Sequence, residues 1–207
     1  MSIVKLNNNG VKNATAFGSI TGLGSMTFIK KLTASSSSTL SFVDGSSDVV
    51  LDNTYKEYLF TFNNMHPDTD GVSFQFQANA VGGSGFNETI TSSFFRAYHG
   101  EGAEGGVVAY ETGSDRAQVS DYQRITEELI GTDNDQCMSG YLRLFNPSST
   151  TFVTHFLADT NSYHASNYSV RSIVSGYFNT PSAIDEIQFK MHSGDIDAGD
   201  ICLYGIA

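Results

Sequence analysis

From residue 28 onward the chain alternates between apolar and polar positions. VSFQFQA (72–78) sets Val72, Phe74, Phe76 and Ala78 on one side and Ser73, Gln75 and Gln77 on the other, the period of two that marks a half-buried strand. YLFTFN likewise puts Tyr58, Phe60 and Phe62 opposite Leu59 and Thr61. The same pattern predicts strands in FIKKLT (28–33), TLSFVD (39–44), FFRAYH (94–99), YLRLFN (141–146), FVTHFL (152–157), IVSGYFN (173–179), EIQFKM (186–191) and DICLYGI (200–206), about ten in all. Ser35–Ser38 reads as a turn or short loop, and PSSTT, opened by Pro147, as a connection of hairpin length. The last strand differs from the others. Ile201, Leu203 and Gly205 alternate with Cys202, Tyr204 and Ile206, so both of its faces carry something worth burying.

Two stretches break the alternation. Residues 1–27 are small and polar, with Val4, Leu6, Val11, Phe17, Ile20 and Leu23 spaced too irregularly for one amphipathic element. Such a segment builds no core of its own; it is either a disordered leader or, the reading preferred for its low charge and recurring apolar residues, an extended arm that orders against a neighbouring subunit. In SDRAQVSDYQRITEELIG, Tyr122, Ile125 and Leu129 fall at i, i+3 and i+7, with Gly131 as a C-terminal stop. This predicts a short helix over 120–130, within an insertion between strands.

Composition supports the strands. Phe (15) and Tyr (10) are abundant and Trp is absent, while Gly, Ser, Thr, Asn and Asp fill the intervals as turn formers. The fold class is therefore all-β, a β-sandwich or jelly roll, with domain 28–207 preceded by the arm 1–27. A chain of 207 residues can hide roughly 70% of its surface without a disulfide or metal staple. Acids outnumber bases 22 to 11, giving a net charge of −11. That balance argues against nucleic acid or an anionic membrane as partner. Cys137 and Cys202 form no C-x-x-C pair; their number allows one disulfide, but two free, packed thiols are the expectation. MSIVKLNNNG does not resemble a signal peptide, and no apolar run reaches the length of a bilayer span.

Candidate chemistry is sparse. His66, His99, His155, His164 and His192 lie in neither H-x-H nor H-E-x-x-H spacing. Cys137 has no electropositive neighbourhood in sequence to lower its pKa. HPDTDG (66–71), GTDNDQ (131–136) and SGDIDAGD (193–200) pair carboxylates at i and i+2. Such pairs can face a hard cation, but turn chemistry explains them without an ion. Glu88, Glu111, Glu127 and Asp185 cannot be matched into a glycosidase pair from sequence. GGSG (82–85) and GEGAEGG (100–106) launch no phosphate-cradling helix. No catalytic residue, cofactor or metal is assigned. Tyr98, Tyr110, Tyr122, Tyr163 and Tyr168 lie in or near loops, where an aromatic ring can stack on a sugar.

Residues 28–207, and more loosely the GVKNATAFGSI leader, resemble a family of tailed-bacteriophage virion proteins. The likeness is carried by FNNMHPDTDGVSFQFQANAVGGSGFNETITSSFFRAYHGE, GTDNDQCMSGYLRLFNPSSTTFVTHF and AIDEIQFKMHSGDIDAGDICLYGIA. Its most specific element is the ending, of the form A-I-D-x-I-x-F-x-x-x-S-G-x-I-x-x-G-x-I-x-L-Y-G-I. Ala183, Ile184, Asp185, Ile187, Phe189, Ser193, Gly194, Ile196, Gly199, Ile201, Leu203, Tyr204, Gly205 and Ile206 fill it. The resemblance implies a non-enzymatic β-sandwich displayed on a virion as head decoration, fibre or tail appendage. It would be made in the host cytoplasm and assemble as a homotrimer, with residues 1–27 docking on other virion proteins. The alternative is a receptor- or glycan-binding tip that meets a host surface glycan. A polysaccharide-cutting enzyme is the remotest reading.

Overall fold

The computed structural model describes residues 26–103, 105–127 and 129–207, and the regular structure in them is strand. Thirteen strands follow one another: β1 (Met26–Ser37), β2 (Leu40–Val43), β3 (Glu57–Pro67), β4 (Phe74–Ala80), β5 (Ile90–Gly100), β6 (Val107–Tyr110), β7 (Ala117–Val119), β8 (Gln123–Arg124), β9 (Met138–Phe145), β10 (His155–His164), β11 (Tyr168–Phe178), β12 (Ile184–Met191) and β13 (Ile196–Ile206). They form two sheets. A nine-stranded sheet runs β1-β13-β3-β9-β10-β11-β5-β6, with β7 also on β5, and a four-stranded sheet runs β2-β12-β4-β8. All the strand pairs are antiparallel.

The sheets share one core because each turns a row of aromatic rings inward. Phe189 of β12 sits at its centre, with ring centroids 5.4 Å from Phe60, 5.3 Å from Phe62 and 5.9 Å from Phe74. Phe42 meets Phe60 edge to face across the gap at 5.3 Å, and Phe76 meets Phe156 at 5.0 Å. Offset and T-shaped contacts of this kind add to the stabilisation from area burial alone. With no Trp in the chain, Phe supplies most of the large buried volume.

β13 lies between β1 and β3, so the alternation read from the sequence is buried on its inner face against the common core. Ile201 and Leu203 are fully buried there, while Cys202, Tyr204 and Ile206 point to the other side of the sheet. Two glycines let the strand fit. Gly199, with φ at +122°, marks an irregularity against β3, where a Cβ would come within 2.8 Å of Met65 Cα. At Gly205 a Cβ would strike the Tyr55 ring at 2.2 Å.

Several expectations are corrected. Residues 120–130 are not helical among the residues described. Gln123–Arg124 pair with β4, Ile125 N donates to Phe74 O, and Ile130 bridges Val72 and His164. β4 offers an unpaired edge and this segment satisfies it, burying Ile125 and Ile130. Leu129 has φ at +92°, which no helix accepts. The serine run is strand as far as Ser37, held by pairing with β13. β10 begins only at His155, leaving Phe152 exposed in the loop. Of the arm 1–27, Met26 and Thr27 belong to β1, and the rest lies outside the described residues.

Candidate functional site

In a sheet, side chains of directly paired residues stand on the same face. The register therefore carries one row across the nine-stranded sheet: Tyr110, Phe95, Ile173, Asp159, Tyr141, Thr61, Cys202 and Lys31. Two residues along the strands lies another: Ser93, Ser175, Leu157, Arg143, Leu59, Tyr204 and Phe28. Both rows point away from the core, and among the described residues no second layer covers them. Phe28 is 57% exposed, Leu157 46%, Phe95 46% and Ile173 44%. Met26, Tyr110 and Val108 extend the same apolar surface.

The charges on this face cancel. Lys31 pairs with Asp200 at 3.2 Å, Arg143 with Glu57 at 3.0 Å and Arg171 with Asp159 at 2.6 Å. The Arg171 contact is bidentate, with Nε reaching the other Asp159 oxygen at 2.9 Å, and hydrogen bonding to Asp159 raises the guanidinium pKa. Arg143 also lies 5.7 Å from the Tyr141 ring centroid. Three cations thus meet three carboxylates on one face of a molecule whose net charge is −11.

The relief of the face is uneven. At the β1–β13 end, Phe28 stands against Tyr204 with centroids 5.7 Å apart. At the other end are two shallow hollows of ≈ 320 and ≈ 330 Å³. The first is lined by Thr91, Ser93, His155, Leu157, Ser175 and Tyr177, the second by Ala97, His99, Val108 and Arg171 among others. An apolar projection and apolar hollows stand at opposite ends of one surface.

The residues singled out in the sequence are scattered. Tyr98 and Tyr168 do meet, 5.5 Å apart, beside His164 and Arg96 in a hollow of ≈ 190 Å³ on the inner side of the sheet. Tyr110 packs on Phe95 and donates to Asp115, Tyr163 donates to Asn167, and Tyr122 lies by the four-stranded sheet. Glu111 and Glu127 converge on Arg96, which pairs with both. They are tied to a guanidinium rather than set across an open cleft. Glu88 accepts from Ala80 N at 3.0 Å, and burial raises the pKa of Asp185.

The five histidines do not gather. His66 contacts Gln136 O, His99 contacts Gly100 O, and His164 accepts from Ser166 N. Burial holds His164 below its ordinary pKa. His155 lies beside Tyr177 on the outer face, and His192 beside Gln75. Cys137 and Cys202 are both free, and burial pushes the Cys137 thiol pKa up, away from a reactive thiolate. In the acidic loops, Asp68 accepts from Thr69 and from Asp195 N, which is turn chemistry. Among the described residues no three His, Cys, Asp or Glu side chains are placed to hold a metal ion.

The outer face was only half visible in the sequence. Its signal was the second apolar set on β13, Cys202, Tyr204 and Ile206. Comparison of the chain with protein-family models, with curated proteins and with solved structures finds no match.

Proposed function

We propose that the protein is a non-enzymatic structural subunit on the exterior of a tailed-phage virion, assembling with copies of itself through the outer face of the nine-stranded sheet. The observation that carries the assembly is that face: apolar, uncovered by any other described element, and with its ion pairs matched on an acidic molecule. Two copies with a net charge of −11 each repel over most approaches. A face whose ions are already paired meets its own kind without that penalty. Eight strands abreast, at about 4.8 Å each and roughly eight residues long, give an area on the order of 1,000 Å², against about 800 Å² per partner in a standard interface.

The projection at one end and the hollows at the other favour a head-to-tail contact, which closes into a ring when the rotation allows. A homotrimer is the ring we propose, with residues 1–27 reaching a neighbouring virion protein. The strand order favours the jelly-roll form of the sandwich. The series β1-β13-β3-β9 and β2-β12-β4-β8 interleave early and late strands, as wrapping one long hairpin into two sheets would do. β5–β7 and β10–β11 then widen one sheet. Jelly rolls recur in viral coat proteins, and the virion setting itself rests on the sequence resemblance.

Sedimentation of the purified chain tests the assembly. The parent is expected to sediment as a closed oligomer of three, and Ile173→Glu combined with Leu157→Glu as a monomer of unchanged circular dichroism. A parent that is monomeric at tens of micromolar would remove the assembly claim. Immunogold or cryo-imaging of particles tests the setting: label on the particle exterior is expected, and its absence would remove the virion claim.

A further inference from the structure

On the opposite side of the molecule, the outer face of the four-stranded sheet holds a different surface. β12 turns Lys190 outward, His192 follows it, and the chain from Gly113 to Arg124 folds alongside. Together they enclose a hollow of ≈ 510 Å³ lined by Arg116, Asp121, Tyr122, Arg124, Lys190 and His192, with Gln75 at its base. The chain has 11 Lys and Arg against 22 acids. Even so, Arg116 and Lys190 face one concavity, which Arg124 and the carboxylate of Asp121 also line.

The groups are held in place. Arg116 donates from Nε to Tyr122 O at 3.1 Å and from Nη1 to Asp115 O at 2.9 Å. Lys190 Nζ stands 4.8 Å from the centroid of the Tyr122 ring, whose hydroxyl donates to Gln188. Gln75 Nε2 lies 3.1 Å from both Ser73 Oγ and His192 Nδ1, which orients the imidazole. Burial first, and the neighbouring Arg124 after it, lower the pKa of the Arg116 guanidinium, while Asp121 and Asp115 act in the opposite direction. An anion placed beside Arg116 and Lys190 would offset the cost of holding their charge in a partly buried place.

We propose that this hollow binds a saccharide unit bearing a carboxylate or phosphate group. The cations call for an anion, and the volume decides what carries it. A bare inorganic anion fills a small part of ≈ 510 Å³, whereas a sugar ring with its substituents suits a hollow of this size. The amide of Gln75 and the imidazole of His192 offer partners for hydroxyl groups. Of the aromatic rings among the described lining residues, Tyr122 has Lys190 over one face and His192 is held by Gln75, so neither is an open platform of the kind a nucleobase stacks on.

The test is titration of the full chain at low salt, followed by NMR or calorimetry. The probes are glucuronate, N-acetylneuraminate, glucose 6-phosphate, glucose, N-acetylglucosamine and inorganic phosphate. At least one acidic sugar is expected to bind about tenfold or more tighter than the neutral sugars and than inorganic phosphate. Lys190→Gln should weaken it by about tenfold, Lys190→Arg should restore it, and Lys56→Gln, away from the hollow, should leave it unchanged. The carboxylate and phosphate arms then identify which anion is preferred. Absence of binding by every acidic sugar would overturn the proposal, as would equal binding of neutral sugars or of phosphate, or equal loss in the Lys56 variant. The hollow and the assembly face lie on different sheets, so sedimentation and titration fail independently.

Discussion

The outer faces of the two sheets have the same backbone geometry and opposite treatments. Among the described residues the nine-stranded sheet leaves its outer face bare and apolar, with each of three cations matched to a carboxylate. The four-stranded sheet is roofed along β4, which is buried over its whole length, outward Gln75, Gln77 and Asn79 included, while the outward residues of β12 stay half-exposed. The roof is the chain between β6 and β8, and cations collect where it leaves a hollow. The difference teaches where each sheet gets its second partner. One face is completed by the chain itself, and the other is left for another molecule.

The comparison presumes that both faces stand on a common core, and the largest effect should come from attacking that core. Phe189→Ala removes the ring that touches both sheets and should cost about 3–5 kcal/mol in chemical denaturation. Because the ring serves both sides, sugar binding and self-association should fall together. Loss of one with the other intact would show that the sheets are energetically separate.

Gln77 tests the roof alone. Its Nε2 donates to the carbonyls of Glu88, Ser120 and Asp121, and its Oε1 accepts from Ala78 N. Gln77→Ala strips a buried donor from these acceptors and should cost about 2–3 kcal/mol. Amide exchange should rise across 117–124 and not in β9–β11. Uniform exchange throughout would erase the distinction between a roofed sheet and a bare one.

The two regions also differed in how far the sequence revealed them. The wide sheet was legible wherever one face met the core, as at Phe60 and Phe62, because burial writes itself as period two. Its outer face was legible only on β13, since Phe28, Leu157, Ile173 and Phe95 occupy positions that are polar on an ordinary solvated face. The roof was misread. β7 within it, like β6 before it, is short and exposed, so what holds these strands is backbone pairing with β5, which leaves no pattern. Tyr122, Ile125 and Leu129 recur at helical spacing by coincidence, while the free edge of β4 sets their conformation. The cationic hollow was invisible because Arg116 and Lys190 are far apart in sequence and only the crossing of the roof over β12 joins them.

A smaller effect should come from the margin of the core under the wide sheet. Tyr58 is fully buried, donates to Asp52 O at 2.9 Å, and has its pKa pushed up to about 12 by burial. The neutral phenol is therefore favoured more in the folded chain than in the unfolded one, whose value is near 10.0. Its contribution is fully present below pH 10 and is lost as the pH rises through about 12. Tyr58→Phe should cost about 1 kcal/mol at neutral pH and should flatten the fall in stability between pH 10 and 12. An unaltered alkaline profile in the variant would assign that fall to another group.

The smallest effect on folding belongs to the outer face itself, and it bears most directly on the comparison. Asp159 holds Arg171 in a bidentate pair that is open to solvent on the Arg171 side, and exposed pairs contribute little to stability. Asp159→Ala should therefore leave the thermal midpoint of the dissociated chain where it was. In the assembled state the outcome differs, because the substitution leaves the Arg171 guanidinium unmatched next to the row in which Asp159 stands between Ile173 and Tyr141. Desolvating that charge opposes association. Sedimentation at rising concentration should show weaker self-association, and the double variant Asp159→Ala with Arg171→Met should recover it. Recovery is the decisive arm: a surface that needed the ion pair for attraction would stay dissociated, whereas one that only needs its charge to vanish reassembles.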